Sequence, residues 1–189
     1  MHIYLLMNPE FQTENKPPYP ESFFEGLDKI KLAALVLIIG TLLSLISFFD
    51  PVIAIVAGII VVIVVWVELV AGFKLLKESN ADYGIGLTGA YAMIGAAVIA
   101  FIGGILFFIN PIFGALIVIV GAVLGILAAI LVAIGLFRIG SKNESGIMEV
   151  GAILVVLISF IGWILVYVSI GEIKNKANKR NAEQLFKSQ

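Results

Sequence analysis

The chain has 189 residues, of which 61% are hydrophobic and only 13% charged, and its formal net charge is -1. Soluble domains are nearer a quarter charged, and uncharged apolar runs of this length are typical of membrane spans, so the composition excludes an ordinary soluble globular domain. The lack of cysteine excludes disulfides, zinc ribbons and thiol catalysis, and the near-neutral charge argues against a nucleic-acid partner.

The N-terminal part predicts two segments outside the membrane. Residues 1–20 are polar and contain "NKPPYP", which predicts a loose arm. In residues 21–30, Phe23, Leu27 and Ile30 recur at helical spacing between acidic residues. This pattern predicts a short amphipathic helix that lies in the membrane interface and leads into the first span.

Five apolar segments follow, which predicts an all-α fold, a polytopic membrane helix bundle of about five transmembrane helices. The predicted spans are residues 31–49, 52–75, 84–109, 112–137 and 148–170, inside a membrane domain of residues 31–171. Asp50-Pro51 and Asn110-Pro111 mark turns, because proline disfavours helix at the residue before it. Residues 172–189 form a basic C-terminal tail.

Two stretches of the chain resemble each other. "SFFDP" ends the first span and "LFFINP" ends the third, and each is followed by an apolar span, a Gly-Phe-basic exit and a polar loop. The echo predicts a parallel two-helix repeat with a period of about 60 residues, followed by a fifth helix. The alternative is that helical hairpins of such restricted composition resemble each other without any repeat.

The segment from "AGFKLLKESNADYGIGLTG" to "SIGEI" resembles an archaeal family, found mainly in thermoacidophiles, of uncharacterised multi-pass membrane proteins of unknown function. The motifs that carry the resemblance are "GFK" at 72–74, "GIG" at 84–86 and the "IGLFRIG" exit of the fourth span, with "GLDKIKLAAL" at 26–35 like the family's start. The resemblance covers residues 26–175 and implies a membrane protein, but no activity, substrate or catalytic residue.

Small residues form stripes on the third and fourth spans, which predicts close helix packing. The helix-packing residues are Thr88, Ala92, Ala96, Ala100, Gly104, Gly114, Gly121 and Gly125. Gly121 and Gly125 make a G-x-x-x-G motif. The pattern leaves open whether these faces pack within the chain or against another chain.

Glu68 is the one acidic residue placed well inside a predicted span, in "VVWVELVAG". An intramembrane carboxylate is costly and is a functional candidate for that reason. The sequence leaves several states open: a protonated side chain, a pair with a basic group, a side chain that reaches headgroup water, or a group that handles protons or ions.

"GIGLTG" at 84–89 has the spacing of a phosphate-binding loop, but predicted membrane helices flank it on both sides, which disfavours a nucleotide site. Its Gly84 and Gly86 are instead candidates for contact with a lipid headgroup. The cations of the tail are candidates for the same contact. They are Lys174, Lys176, Lys179 and Arg180.

No nucleophile, acid–base pair or metal-ligand cluster stands out, so the sequence predicts a protein that is not an enzyme and holds no cofactor or metal. The predicted function is a structural or accessory subunit in the cell membrane. Its expected partners are membrane lipids and other membrane-protein subunits or further copies of itself. The alternative is a small transporter or channel-like protein that uses Glu68.

Five spans place the two termini on opposite sides of the membrane. The side that holds the N-terminus and the polar loops carries slightly more cations than the other side, which favours a cytoplasmic N-terminus. Asn143-Glu144-Ser145 is a glycosylation sequon, and a glycan there would reverse this orientation.

Overall fold

The computed structural model describes residues 18–46 and 51–187, which form six α-helices and one 3₁₀-helix and contain no strand. The α-helices are α1 Glu21–Ile46, α2 Pro51–Ser79, α3 Gly84–Phe107, α4 Pro111–Lys142, α5 Gly146–Leu157 and α6 Ser159–Lys187. The 3₁₀-helix is Ala81–Tyr83, between α2 and α3. The predicted all-α fold is confirmed.

Helices α1 and α2 pack as an antiparallel pair. Their backbones approach closely at Gly26 and Gly72, where a Cβ atom on Gly26 would stand 2.9 Å from Gly72 O. Such an approach is open only to residues without a side chain, which explains glycine at both positions.

Helices α3 and α4 form the second antiparallel pair, with the most extensive helix–helix contact in the fold. The turn between them is set by Asn110, whose side chain accepts a hydrogen bond from Phe113 N at 3.2 Å, with Pro111 at the first helical position. Both pairs are antiparallel hairpins, which is what a repeat of one two-helix unit requires. The internal repeat itself stays a prediction.

The predicted fifth span is wrong as a single helix. The chain breaks at Ile158 and reverses, so α5 and α6 pack side by side in opposite directions. A Cβ atom on Gly162 of α6 would stand 2.2 Å from Val155 N of α5, and Ser169 Oγ lies 3.3 Å from Met148 Sδ near the start of α5. The 12 residues of α5 span about 18 Å, well short of a membrane core of about 30 Å.

Because α6 reverses the chain, both described termini lie at one end of the bundle. Tyr19 N donates to Asn181 Oδ1 at 2.9 Å, and Lys174 Nζ donates to both carboxylate oxygens of Asp28 at 2.7 Å. The expectation that the termini lie on opposite sides is therefore wrong. An odd number of spans, such as the predicted five, ends the chain on the side opposite its start. A hairpin in place of the fifth span returns the chain to its starting side.

The boundary predicted between an interfacial helix at residues 21–30 and the first span is absent, since α1 is continuous. Phe23, Leu27 and Ile30 do form the predicted apolar stripe, but they are fully buried in the protein core. The stripe therefore packs against protein. Most of the predicted arm, residues 1–17, lies outside the described residues, as does the end of the first predicted span at 47–49.

Among the described residues, two helical segments are long and apolar enough to cross a membrane. They are Ala81–Phe107, with a mean hydropathy of 2.2, and Pro111–Lys142, with 3.2. Only 17% and 22% of their most apolar windows are buried inside the protein. A core helix of a soluble domain is mostly buried, so these exposures do not fit one.

Candidate functional site

We call the end of the bundle that holds both described termini the polar face. It is formed by the starts of α1, α3 and α5, the ends of α2 and α4, the 3₁₀-helix and the second half of α6. Its charged and amide groups are brought together from parts of the chain far apart in sequence.

The loop after α2 is joined to the end of α4 by charged contacts. Lys142 Nζ is ion-paired with Asp82 and also donates to Asn80 Oδ1 at 3.2 Å, while Arg138 Nη1 donates to Asp82 O at 3.1 Å. The hydrogen bond and charge of Lys142 lower the pKa of Asp82 below its usual value. The two polar loops, which the sequence shows only as separate patches, thus form one surface.

Beneath this surface Asn143 and Tyr83 are buried together. Asn143 Nδ2 donates to Ile139 O at 2.7 Å and to the Tyr83 hydroxyl at 3.4 Å. Burial raises the pKa of Tyr83 to about 12. Asn143 is only 7% exposed, so a glycan on its amide is incompatible with this packing. A bare Asn143 is expected in either orientation, and the sequon no longer tests the topology.

Helix α4 ends in a Schellman motif. Ser145 N donates to Gly140 O at 2.9 Å, and Glu144 takes a positive φ of 53°, the single non-glycine residue with positive φ in the described chain. Glycine is the usual residue there, because a Cβ atom clashes with the backbone in this conformation. The motif turns the chain sharply, and Ser145 then caps α5 by accepting from Met148 N at 3.4 Å.

The two described ends of the chain are joined by a pair of hydrogen bonds and an aromatic contact. Asn181 Nδ2 donates to Tyr19 O at 3.0 Å, which completes the reciprocal bond from Tyr19 N. Arg180 Nη1 donates to the Tyr19 hydroxyl at 3.2 Å, and its guanidinium lies 5.4 Å from the centre of the Tyr19 ring. The predicted basic tail is therefore a helix that packs on the start of α1.

A cavity of about 460 Å³ opens between these elements on the polar face. It is bounded by the segment before α1, the end of α2, the 3₁₀-helix, the end of α4 and α6. The polar and charged side chains in its lining are Tyr19, Ser79, Asn80, Tyr83, Ser141, Lys142, Asn143, Glu144 and Arg180.

Glu68 lies on α2 beside α1, and the structure contains one of the arrangements that the sequence left open, a pair with a basic group. Lys29 Nζ lies 3.2 Å from Glu68 Oε2. The Glu68 side chain is 14% exposed and that of Lys29 38%. Oε2 accepts no hydrogen bond from the described residues, so the contact is an ion pair without hydrogen-bond geometry. Glu68 is thus paired with a basic group next to the polar face.

The predicted packing residues divide into two groups. Gly114, Gly121, Ala96 and Ala100 lie in the contact between α3 and α4, where a Cβ atom on Gly114 would stand 2.3 Å from Phe107 Cα and one on Gly121 2.8 Å from Ala100 N. Gly125 reaches the edge of this contact, where its Cβ atom would lie 3.9 Å from the Ala96 Cβ.

The other predicted packing residues lie beside the contact or away from it. Thr88 is exposed, Ala92 is half-buried, and nothing lies within 4 Å of a Cβ atom on Gly104. The prediction took every fourth residue of α3, but each step of four advances about 40° beyond a full turn, so such a row leaves the contact at both ends.

The contact instead follows a seven-residue spacing. On α3 it uses Gly89, Ala96 and Gly103, and on α4 it uses Gly114, Gly121, Ala128 and Gly135, all of them buried. A seven-residue repeat keeps one stripe facing the partner helix in a left-handed pair. This spacing is visible in the sequence, and sequence reasoning missed Gly89 and Gly103 because it followed a period of four.

The candidate headgroup residues have protein partners in most cases. Gly84 packs on the Lys77 side chain, and Gly86 is buried against the Phe73 ring, which a Cβ atom would approach to 2.1 Å. Lys176 Nζ is ion-paired with Glu172 at 2.6 Å and donates to Glu144 O at 3.0 Å. Lys174 binds Asp28, as described above, and Lys179 is exposed. Of the predicted group, only Arg180 lines the cavity.

The fold therefore defines an all-helical protein with two helices long and apolar enough to cross a membrane. Residues 47–189 match the model of a family described as "Protein of unknown function (DUF973)", and the chain belongs to this family. The match begins after α1, whereas the resemblance drawn from the sequence began at residue 26 and ended at residue 175. No curated protein matches the chain, and no solved structure matches it.

Proposed function

We propose that the protein is a multi-pass membrane protein in which α1, α2, α3 and α4 span the bilayer and α5 and α6 enter it as a re-entrant hairpin. Its role is that of a non-enzymatic structural or accessory subunit that packs against lipids and other membrane proteins. The observation that carries the proposal is the surface of the α3–α4 pair, which is apolar and unburied over its length.

Large apolar side chains on this pair are exposed from one end to the other. Phe101, Ile112, Ile119 and Ile126 are each more than half exposed. Water would impose a large free-energy cost on such a surface, while hydrocarbon would not. The 24 residues of α3 and 32 residues of α4 are about 36 and 48 Å long, enough to cross a core of about 30 Å.

The distribution of cations supports an orientation. Every lysine and arginine in the described part of the chain lies on the polar face or in the layer directly beneath it, where Lys29 and Lys31 stand. The described turn at the other end of the bundle, residues 108–110, carries no charge. Cationic loops remain in the cytoplasm, so we place the polar face and both described termini there.

Single cysteines test this topology, because the chain has none of its own. The variants are Glu21→Cys and Lys179→Cys on the polar face and Ile109→Cys at the opposite turn. A membrane-impermeant maleimide added to intact cells is expected to label Ile109→Cys alone, and inside-out vesicles are expected to show the reverse. Labelling of residues 21 and 179 from opposite sides would refute the re-entrant hairpin and restore a fifth span.

The accessory role is supported by surfaces that the chain leaves uncovered. An apolar cavity of about 320 Å³ lies between Trp66 of α2 and the small residues of the α3–α4 pair, such as Ala97 and Ala122. We expect extraction in mild detergent to yield the chain with partner subunits or as an oligomer. A monodisperse monomer of 20.3 kDa in several gentle detergents would contradict this role.

The transporter alternative depends on Glu68. Flux of protons or ions into liposomes that hold the purified chain, abolished by Glu68→Gln, would replace the accessory role. Glu78→Gln is the matched control, since Glu78 is an exposed acid near the end of the same helix. We expect no flux above that of empty liposomes for the native chain or for either variant.

A further inference from the structure

The cavity on the polar face joins two cations from distant parts of the chain. Lys142 comes from the end of α4 and Arg180 from α6, and both line the same space. Glu144 is the single carboxylate among its lining residues. Neutral donors surround them, because Ser141 and Asn80 line the cavity as well.

Arg180 is the cation with the most unused binding capacity. A guanidinium has five N–H donors, and the described contacts of Arg180 are one hydrogen bond to the Tyr19 hydroxyl and the face of the Tyr19 ring. No carboxylate of the described residues lies within 4.0 Å of it. The tyrosine therefore orients the guanidinium without neutralising its charge.

Lys142 differs, because Asp82 neutralises it from outside the cavity lining. Its ammonium can still add a donor to an anion in the cavity. A planar, oriented guanidinium that shares a cavity lining with a lysine and hydroxyl-bearing residues suits a tetrahedral oxyanion, because the fork of the guanidinium binds two of its oxygens at once.

We propose that the polar-face cavity is a binding site for a phosphate group, with Arg180 as its principal ligand and Lys142 as a second. The phosphate belongs either to a lipid headgroup or to a small soluble phosphate compound, and the chemistry is the same for both. The headgroup source rests on the membrane placement proposed above, while the soluble source does not.

Titration of inorganic phosphate into the purified full-length chain, held in nanodiscs of neutral glycolipid, tests the soluble source by calorimetry. We expect Arg180→Gln to weaken binding about tenfold or more, since it removes charge-assisted hydrogen bonds. The matched control is Lys179→Gln, which removes the same charge from an exposed neighbour outside the cavity lining. Its expected change is below about twofold, as for an exposed charge.

A second variant separates loss of binding from loss of folding. Glu144→Gln removes the charge of the acidic residue in the cavity lining, so binding is expected to strengthen about threefold, because the repulsion between two anions is gone. A misfolded variant cannot bind more tightly than the native chain. Weaker or unchanged binding by Glu144→Gln would contradict the proposed position of the phosphate.

Native mass spectrometry tests the headgroup source. The chain is extracted in mild detergent and mixed with phosphatidic acid or with a neutral diacylglycerol, and retention of each lipid is measured for the native chain, Arg180→Gln and Lys179→Gln. Selective retention of phosphatidic acid that Arg180→Gln alone abolishes would support a headgroup site. If neither phosphate nor phosphatidic acid binds, or if both variants lose binding equally, the proposal is overturned, whatever the cysteine labelling shows.

Discussion

Gly162 of α6 and Val155 of α5 are in direct backbone contact, so close that a Cβ atom on Gly162 would stand 2.2 Å from Val155 N and 2.5 Å from Leu154 C. Real Cβ atoms essentially never come so near to a backbone atom. This contact stands one turn from the reversal at Ile158, and it sets how tightly the α5–α6 hairpin closes.

We expect Gly162→Ala to destabilise the protein by about 1–3 kcal/mol, because the methyl group overpacks a backbone contact that cannot yield. Gly171→Ala on the same helix is the control, since nothing lies within 4 Å of its Cβ position. Alanine favours helix over glycine by about 1 kcal/mol, so this control is expected to be neutral or stabilising. Thermal unfolding in detergent measures both, and equal melting temperatures would contradict a closed hairpin.

Two adjacent glycines of α3 are expected to respond in opposite ways to substitution by alanine. A Cβ atom on Gly103 would stand 2.7 Å from Val118 N, whereas Gly104 faces open space. Gly103→Ala is expected to cost about 1–3 kcal/mol and Gly104→Ala to stabilise by up to about 1 kcal/mol. Melting temperatures of the two variants decide between the seven-residue stripe and the four-residue row that the sequence suggested. A larger loss at Gly104 would favour the row.

Glu144 holds a backbone conformation that suits glycine. Glu144→Gly is expected to raise stability by about 1 kcal/mol, because it removes the contact between Cβ and backbone that a positive φ imposes. The carbonyl that accepts from Lys176 is retained. Glu144→Ala removes the charge but keeps the Cβ atom, so its melting temperature is expected to stay near that of the native chain. If alanine stabilises as much as glycine, the gain comes from charge.

Burial of Tyr83 predicts a loss of stability at high pH. Its pKa is raised from 10.0 to about 12 in the folded protein, so the folded state holds the proton more tightly. The contribution of this proton to the stability of the fold is fully present below pH 10 and is lost as pH rises from about 10 to about 12. When the free energy of unfolding is measured across this pH range, it is expected to fall less steeply for Tyr83→Phe than for the native chain.

Tyr91→Phe is the control for that experiment, since it removes a tyrosine hydroxyl from the surface of α3. Its slope is expected to match that of the native chain. A slope that Tyr83→Phe leaves unchanged would mean that the Tyr83 hydroxyl is as accessible to water in the folded state as in the unfolded one.

Much of the local structure could be predicted from the sequence. The helices α2, α3 and α4 begin or end within a few residues of the predicted bounds, because Asn110-Pro111 and Asp50-Pro51 are turn signals that act through neighbouring backbone. The apolar stripe of Phe23, Leu27 and Ile30 was found for the same reason, since helical spacing is a local property. What that stripe packs against is not a local property: it is buried in the protein core instead of facing lipid.

The phosphate-site residues show the same division. Arg180 was identified as a candidate because it stands in a cluster of cations. Tyr19, which orients it, belonged to a segment that the sequence predicted to be loose, and the two are 161 residues apart. No periodicity links such positions, so only the packing of α6 on α1 brings them together.

The sequence by itself determined an all-helical chain with long apolar helices, since composition and short-range periodicity decide what each segment can bury. Only the tertiary structure decided that the last apolar segment folds back at Ile158. The apolar composition of this run is compatible with one straight helix and with two packed ones, so composition does not distinguish them. The choice depends on the contact of Gly162 with Val155 and of α6 with α1, and these contacts place both described ends of the chain on one face.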